Sequence, residues 1–428
     1  MSTNQRALAA ADKQYIVHPH TVVGQPPEPL IIERGEGALV WDVDGKEYVD
    51  GTCGLWQCAV GHGRRELADV AAEQMAKLEF YPSFWDYSNE PAIRLAERLV
   101  QLSPEGLNKV FFTNGGSEGT ETAIKLARLA HHANGQPERT VILSRESAYH
   151  GVSAVSLAAT GMPAMKEGFG PQPDGFVHLS VPHARKIGPN ATDVLVAELE
   201  ETIERIGADK IAAFIGEPVL GVGGMVPPPD GYWPRVAEVL RKHGILLILD
   251  EIVTAFGRTG YWFAAERYGV TPDLLVTAKG LSSGYIPMGA VLIGDQVIRM
   301  AHGATFWHGF TYNGHPVGAA VSLANLDIIE REGLPARAQH IGTLMLEALK
   351  PLPDLPEVVE VRGVGLALGI EFDGIDAAAI AASCREDGVI VRAGIGRIVL
   401  SPPLVITEGQ ADAICTALEK HITAAVQK

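Results

Sequence analysis

Cysteine is scarce in this sequence: four in 428 residues, Cys53, Cys58, Cys384 and Cys415, none in a C-x-x-C spacing. Thiols so few and scattered exclude a disulfide framework and indicate reduced, structural cysteines. Long apolar runs are missing too, since stretches such as ILLIL (245–249) are far too short to span a bilayer. Positive charge is in deficit, with 35 Lys and Arg against 51 Asp and Glu and a net charge of −16. Such a surface repels phosphate backbones and anionic lipid, so neither nucleic acid nor membrane is an expected partner. The opening MSTNQRALAAADKQ carries no basic region followed by an apolar core. No secretory leader is expected, and a cytoplasmic location is. Internal repeats, low-complexity tracts and long linkers are absent as well.

What the chain does have is length and alternation. At 428 residues it exceeds the needs of one small core, so a large domain with a smaller companion is expected. KVFFTN reads as a strand, EGTETAIKLARLAHHA as an amphipathic helix and TVILS as a second strand. The pattern continues through the strands KIAAFIGE, ILLILDE and DLLVTAK, separated by the helices DVLVAELEETIERIG and WPRVAEVLRKHG. Continuously apolar strands between amphipathic helices predict an α/β fold with a mostly parallel sheet covered on both faces. After the helix GHPVGAAVSLANLDIIERE come a further helix, short strands (VEVRGVGLALGIEF, VIVRAG, RIVLSPP) and a terminal helix from TEGQADAICTALEKHI. The N-terminal stretch LIIERGEGALVWDVDGKEYVDG is also β-rich, with hairpin punctuation at Asp44-Gly45. The expected division is a segment 1–60 that joins the small domain, a large domain 61–330, and a small α+β domain 331–428.

Ligands of open parallel sheets bind beyond the carboxyl ends of the strands. Four features fall there: TNGGSEG, SAYHG, Asp250-Glu251 and Lys279. Lys279 sits among small and apolar residues in VTAKGLSSGYIPMGA. Either its stem snorkels to water, or the amine is used as a nucleophile or Schiff-base former. Gly115, Gly116 and Ser117 at a helix start have the makings of a phosphate cup, although ordinary capping by Ser117 and Glu121 needs no ligand. The same letters match G-x-S-x-G, the elbow of serine hydrolases, with Asp250 and His308 or His315 following in order. No H-G-G-G-type oxyanion stretch precedes Ser117, and that reading leaves Lys279 without a role. Asp250 ends a very apolar strand and needs a cation or donor as partner. A salt bridge within the protein would serve, and so would a pyridinium nitrogen. An ion pair at about 4 Å and an effective dielectric near 20 is worth roughly 4 kcal/mol, about three pKa units on the ring.

FFTNGGSEGTETAIKLAR, YHG, GEPV, LILDEIVTAFGRTG, PDLLVTAKGLSSGYIPMGAV and HGFTYNGHPVGAA occur in this order. In sequence and spacing this set resembles the class III (omega) aminotransferases, pyridoxal-phosphate enzymes of the aspartate-aminotransferase fold, over nearly the whole chain. The resemblance implies a seven-stranded sheet in the large domain and transfer of an amino group from an amine or omega-amino acid to a keto acid such as pyruvate, by ping-pong kinetics. It implies that Lys279 forms the Schiff base with pyridoxal 5'-phosphate and then shuttles the substrate proton, and that Asp250 pairs with the ring nitrogen. Gly116 and Ser117 would hold the phosphate, joined by Thr311 from a neighbouring subunit. Tyr149 and Ile252 would flank the ring, with Glu217 near it. A homodimer with shared active sites is thereby implied, a tetramer being the larger alternative. Trp56 and Phe84 match aromatic positions of the substrate pocket, and core packing would account for either alone. Arg392 matches an arginine that binds the acceptor carboxylate, while nearby Arg397 competes for that role. His150 and Arg258 accompany matching motifs and are read as loop-structuring groups. Gly115 and Gly119 depart from the family, which often has serine and alanine there.

The histidines at 18, 20, 131 and 132 lack a supporting cysteine or carboxylate cluster, and no metal is expected. GVGLALG mimics part of a dinucleotide fingerprint but opens no helix. Two alternatives stand beside the aminotransferase: an aminomutase on the same scaffold, and the serine hydrolase built on Ser117.

Overall fold

The computed structural model describes residues 3–427. Its centre is a seven-stranded sheet, in the order Leu107–Thr113, Gly289–Gly294, Leu274–Thr277, Leu246–Asp250, Ile211–Gly216, Val141–Arg145, Phe176–Leu179. Gly289–Gly294 runs antiparallel to both neighbours, and every other pairing is parallel. The apolar strands are apolar because the sheet is covered: Ile211–Gly216, Leu246–Asp250, Leu274–Thr277 and Gly289–Gly294 are buried at every position. On one face Gly116–Ala133 lays down Ala123, Ile124, Ala127 and Ala130 against Ile248, Val276 and Val291. The fold class expected from the alternation is the one found.

Glycine governs how closely that helix approaches. A Cβ on Gly119 would stand 2.7 Å from Cγ1 of Val276, so an alanine there would push helix from sheet.

Two smaller sheets flank the large one. Val358–Val364, Ala367–Phe372, Arg397–Leu400 and Arg392–Gly394 form an antiparallel four-stranded sheet. The hairpin Leu39–Asp42 and Glu47–Asp50 turns at Gly45 (φ 82°), where the amides of Asp44 and Lys46 donate to Asp42 Oδ1 at 3.0 and 2.9 Å. Its second strand pairs in parallel with Val389–Ile390, tying the N-terminal segment to the C-terminal one.

Two local expectations change. VIVRAG is not one strand: Val389–Ile390 joins the N-terminal hairpin, and Arg392–Gly394 joins Arg397–Leu400. DLLVTAK stops at Thr277, and Lys279 opens a 3-10 turn with φ 36°. Among the described residues no helix is long and apolar enough to cross a membrane.

Candidate active site

The parallel strands end on one side, and the strand-end residues meet there. Asp250 ends Leu246–Asp250, Glu217 follows Ile211–Gly216, Tyr149 and His150 follow Val141–Arg145, Lys279 follows Leu274–Thr277, and Ser117 lies in the first turn of Gly116–Ala133. All six, with Gly116 and Ile252, line one cavity of about 400 Å³. The antiparallel strand Gly289–Gly294 intervenes between Leu107–Thr113 and the rest, yet the loop before it supplies Ile286, Pro287 and Met288 to the wall.

Asp250 is 3% exposed and His150 1%. Asp250 Oδ2 lies 2.7 Å from His150 Nδ1, and Oδ1 accepts the Ile252 amide at 3.1 Å. Glu217, also buried, accepts the Tyr149 amide on Oε1 at 3.1 Å and the Gly221 amide on Oε2 at 2.8 Å. Burial pushes its pKa up, with Asp250 adding to the rise and His150 and the Gly221 amide opposing it. Burial also lowers the Lys279 amine from 10.5 to about 8, against the pull of Asp250 and Glu217 and with help from Arg392. Of the two readings of that lysine, the cavity favours the second: the side chain lines it, and near neutrality part of the amine is uncharged.

The helix start is shaped for an anion. A Cβ on Gly116 would come within 2.6 Å of Ile252 Cδ1, and one on Gly151 within 2.5 Å of Ser117 Oγ. Ser117 Oγ accepts the Val152 amide at 3.1 Å, which leaves its own proton free to donate. Glu118 turns away to accept the Asn114 amide and side chain at 2.8 and 2.9 Å. First-turn amides of an 18-residue helix, a hydroxyl and two closely approached glycines fit a phosphate. Gly115, open on all sides at φ −178°, needs no special freedom, so its departure from the family leaves the cup intact. His150 Nε2 is buried without a partner among the described residues. With a partly buried lysine, two buried carboxylates and this cup, the residues present fit pyridoxal phosphate.

Other expected site residues fall in three places. Trp56 is beside the cavity, its ring centre 5.5 Å from Lys279 Nζ and 4.8 Å from Arg392 Cζ. Arg392 has no hydrogen-bond partner among the described residues, whereas Arg397 donates to the Gly223 and Ile395 carbonyls. Phe84 and Thr311 do not line the cavity of their own chain: Phe84 borders a separate cavity of about 970 Å³ with Phe306 to Phe310, and Thr311 is exposed.

The hydrolase arrangement is not formed. The histidine on Asp250 is His150; His308 Nε2 bonds Thr122 Oγ1 at 2.8 Å, and His315 packs on Phe80. Arg258 donates to the Leu366 and Pro402 carbonyls at 3.0 and 2.5 Å, a loop-structuring role as expected. His150, expected in the same role, instead contacts Asp250, and its place beside Tyr149 at a strand end is the sequence signal for that. One cluster among the described residues, His183, Glu360 and Glu371, has metal-ligand atoms in mutual reach. Arg362 Nη1 already lies 2.7 and 2.6 Å from its two carboxylates.

Comparison with known proteins gives the same answer over most of the chain. The class III aminotransferase family matches residues 21–422. The putrescine–pyruvate aminotransferase of Pseudomonas aeruginosa is 39% identical over 409 residues, spanning 91% of this chain and 90% of that protein. An (S)-enantioselective omega-transaminase from Thermomicrobium roseum superposes with a TM-score of 0.96 at 46% identity, spanning 99% of this chain and 100% of that one. An amine transaminase from an uncultivated Pseudomonas species, solved in its PLP-bound form, superposes with a TM-score of 0.93 at 37% identity, spanning 96% and 99%. The aminomutase and hydrolase alternatives find no support among these relatives. The chain belongs to the class III aminotransferases, whose cofactor is pyridoxal phosphate.

Proposed function

We propose that this enzyme is an omega-transaminase that takes the amino group of a small amine or omega-amino acid and delivers it to a keto acid, pyruvate being the first candidate. The relatives named for those activities support this choice of partners. The carrying observation is the lysine amine held down to about 8 at the floor of a cavity that also holds Asp250 and the Ser117 cup.

Pyridoxal phosphate, when bound, supplies a sink for the electrons released as a substrate Cα–H bond breaks. Lys279 would hold the cofactor through its aldehyde, and its Nζ would serve as the base that accepts the substrate Cα proton and returns it. The depressed pKa suits that work, because a neutral amine can accept a proton near pH 8 and return it. Asp250 would hold the ring nitrogen, with His150 fixing the carboxylate from the other side. Gly116 and Ser117 would hold the phosphate, and Tyr149 and Ile252 would flank the ring, with Glu217 beside it. Arg392, without a hydrogen-bond partner among the described residues and stacked near Trp56, would take the acceptor carboxylate.

A homodimer with shared sites completes this reading. Thr311 is exposed, and Phe84 packs against the loop that carries it, since a Cβ on Gly309 would be 2.6 Å from Phe84 Cζ. Both would serve the partner's cavity, Thr311 at the phosphate and Phe84 at the substrate. A cytoplasmic location fits the bacterial relative.

A panel of amine donors with pyruvate as acceptor, run on wild type and on Lys279→Ala, tests the proposal. Alanine formation by wild type alone is expected. Turnover by the variant, or no donor accepted by wild type, would reject it.

A further inference from the structure

We propose that Arg397 is a positioning residue for the reaction: from the C-terminal sheet it fixes the loop 217–226, and through that loop the Glu217 carboxylate. The proposal rests on the reading of the Lys279 cavity as the reacting site.

The loop is a strained one. Leu220 and Val226 exchange backbone hydrogen bonds at 3.0 Å, and between them Gly224 has φ 121° and Met225, a residue with a side chain, φ 50°. Such a backbone persists only where its surroundings over-determine it. Two arginines do so. Arg397 Nη1 donates to the Gly223 carbonyl and Arg362 Nε to the Gly224 carbonyl, the latter at 3.1 Å. Arg362 is itself pinned by Glu360 and Glu371 at 2.7 and 2.6 Å, and Arg397 Nε is anchored on the Ile395 carbonyl at 3.1 Å. Both guanidiniums lie close against the turn: a Cβ on Gly224 would stand 2.7 Å from Arg362 Nη2 and 3.1 Å from Arg397 Nη1.

The path from there to the cavity is two hydrogen bonds long. The amides of Gly224 and Met225 donate to the Gly221 carbonyl at 2.9 and 3.0 Å, and the Gly221 amide donates to Glu217 Oε2 at 2.8 Å. The next residue, Val222, lines the cavity itself. Without the grip of Arg397 the Gly221 amide loses its orientation, and Glu217 loses one of the two donors that steady it beside Tyr149 and Lys279. Arg397 is therefore occupied in holding protein, and the acceptor carboxylate is left to Arg392.

The test compares Arg397→Ala, Arg397→Lys and Arg392→Ala holoenzymes with two acceptors, pyruvate and an uncharged aldehyde. Hydrogen exchange of the loop amides gives an independent readout. Arg397→Ala is expected to lower kcat about tenfold with both acceptors alike, with the pyruvate KM changed less than about twofold. The amides of Gly221, Gly224 and Met225 are expected to exchange about tenfold faster, with Leu274–Thr277 unaffected. Arg397→Lys, which retains the stem and one donor, should fall between wild type and alanine, and reads the same pattern if the alanine variant does not fold. Arg392→Ala should raise the KM for pyruvate alone. A pyruvate-selective KM increase in either Arg397 variant, or unchanged kcat and loop exchange in both, would overturn the proposal. Failure of the cavity reading would show separately, as turnover by Lys279→Ala.

Discussion

Nδ1 of His150 and Oδ2 of Asp250 lie 2.7 Å apart at the floor of the cavity, with the two residues 1% and 3% exposed. A buried carboxylate is stable only with partners, and this one has the imidazole and the Ile252 amide within the protein. The histidine fixes which way the remaining lone pairs point.

His150→Ala therefore removes a hydrogen bond to a buried charge, an interaction worth about 1.5–3 kcal/mol. A loss in kcat/KM of roughly 10- to 100-fold is expected, with weaker retention of pyridoxal phosphate on dialysis. Asp250→Asn should lose more, because it removes the charge itself. Steady-state kinetics of both variants at saturating cofactor check the order.

Lys279 gives the protein without cofactor a distinctive pH dependence. Its amine ordinarily titrates at 10.5 and here at about 8. Between those values the unfolded chain binds more protons than the folded one, so stability rises with pH across the window and the cost is complete below its lower edge. That cost is at most roughly 3 kcal/mol. Lys279→Met should be the more stable apoprotein at pH 7, and its advantage over wild type should vanish above pH 10.5. Urea midpoints of the two apoproteins across pH measure it; an advantage that grows with pH would contradict the sign.

Gly119→Ala opposes two effects. Alanine gains about 1 kcal/mol of helix propensity over glycine. Its Cβ would meet Val276 Cγ1 at 2.7 Å, however, and overpacking of that kind costs about 1–3 kcal/mol. A net loss of about 1 kcal/mol is expected, largely restored in the double variant with Val276→Ala. Thermal midpoints of the three variants and wild type give the coupling; additive losses would mean that the helix moves freely.

Arg392→Ala should separate acceptors by charge. If its guanidinium meets the acceptor carboxylate as proposed, its loss raises the pyruvate KM about 10- to 100-fold, with little effect on an aldehyde acceptor. Equal losses for both would return Arg392 to packing against Trp56.

Much of this protein was legible in one dimension. Ile211–Gly216 and Leu246–Asp250 declare a covered parallel sheet because each is apolar without a break, and such strands have no other stable place. Asp250 and Lys279 stand out because a charge beside an apolar strand needs a reason. His150 was harder to see, since YHG carries no spacing that links it to a residue a hundred positions later. Ser117 was ambiguous for the converse reason: a hydrolase elbow and a phosphate cup share their glycines, and they differ only in what faces the serine, here the Val152 amide.

The sequence by itself determined the fold class and the chemistry of the strand ends, because burial pattern, helix period and the cost of a hidden charge are local properties. Tertiary structure decided between near-identical neighbours. Arg392 and Arg397 share one short stretch and one kind of side chain, yet one stacks near Trp56 and the other grips the Gly223 carbonyl. The hairpin of 392–394 with 397–400 points the two arginines apart, and the pairing of Arg397–Leu400 with the distant strand Ala367–Phe372, which carries the hairpin to the loop 217–226, is fixed only when the chain closes on itself.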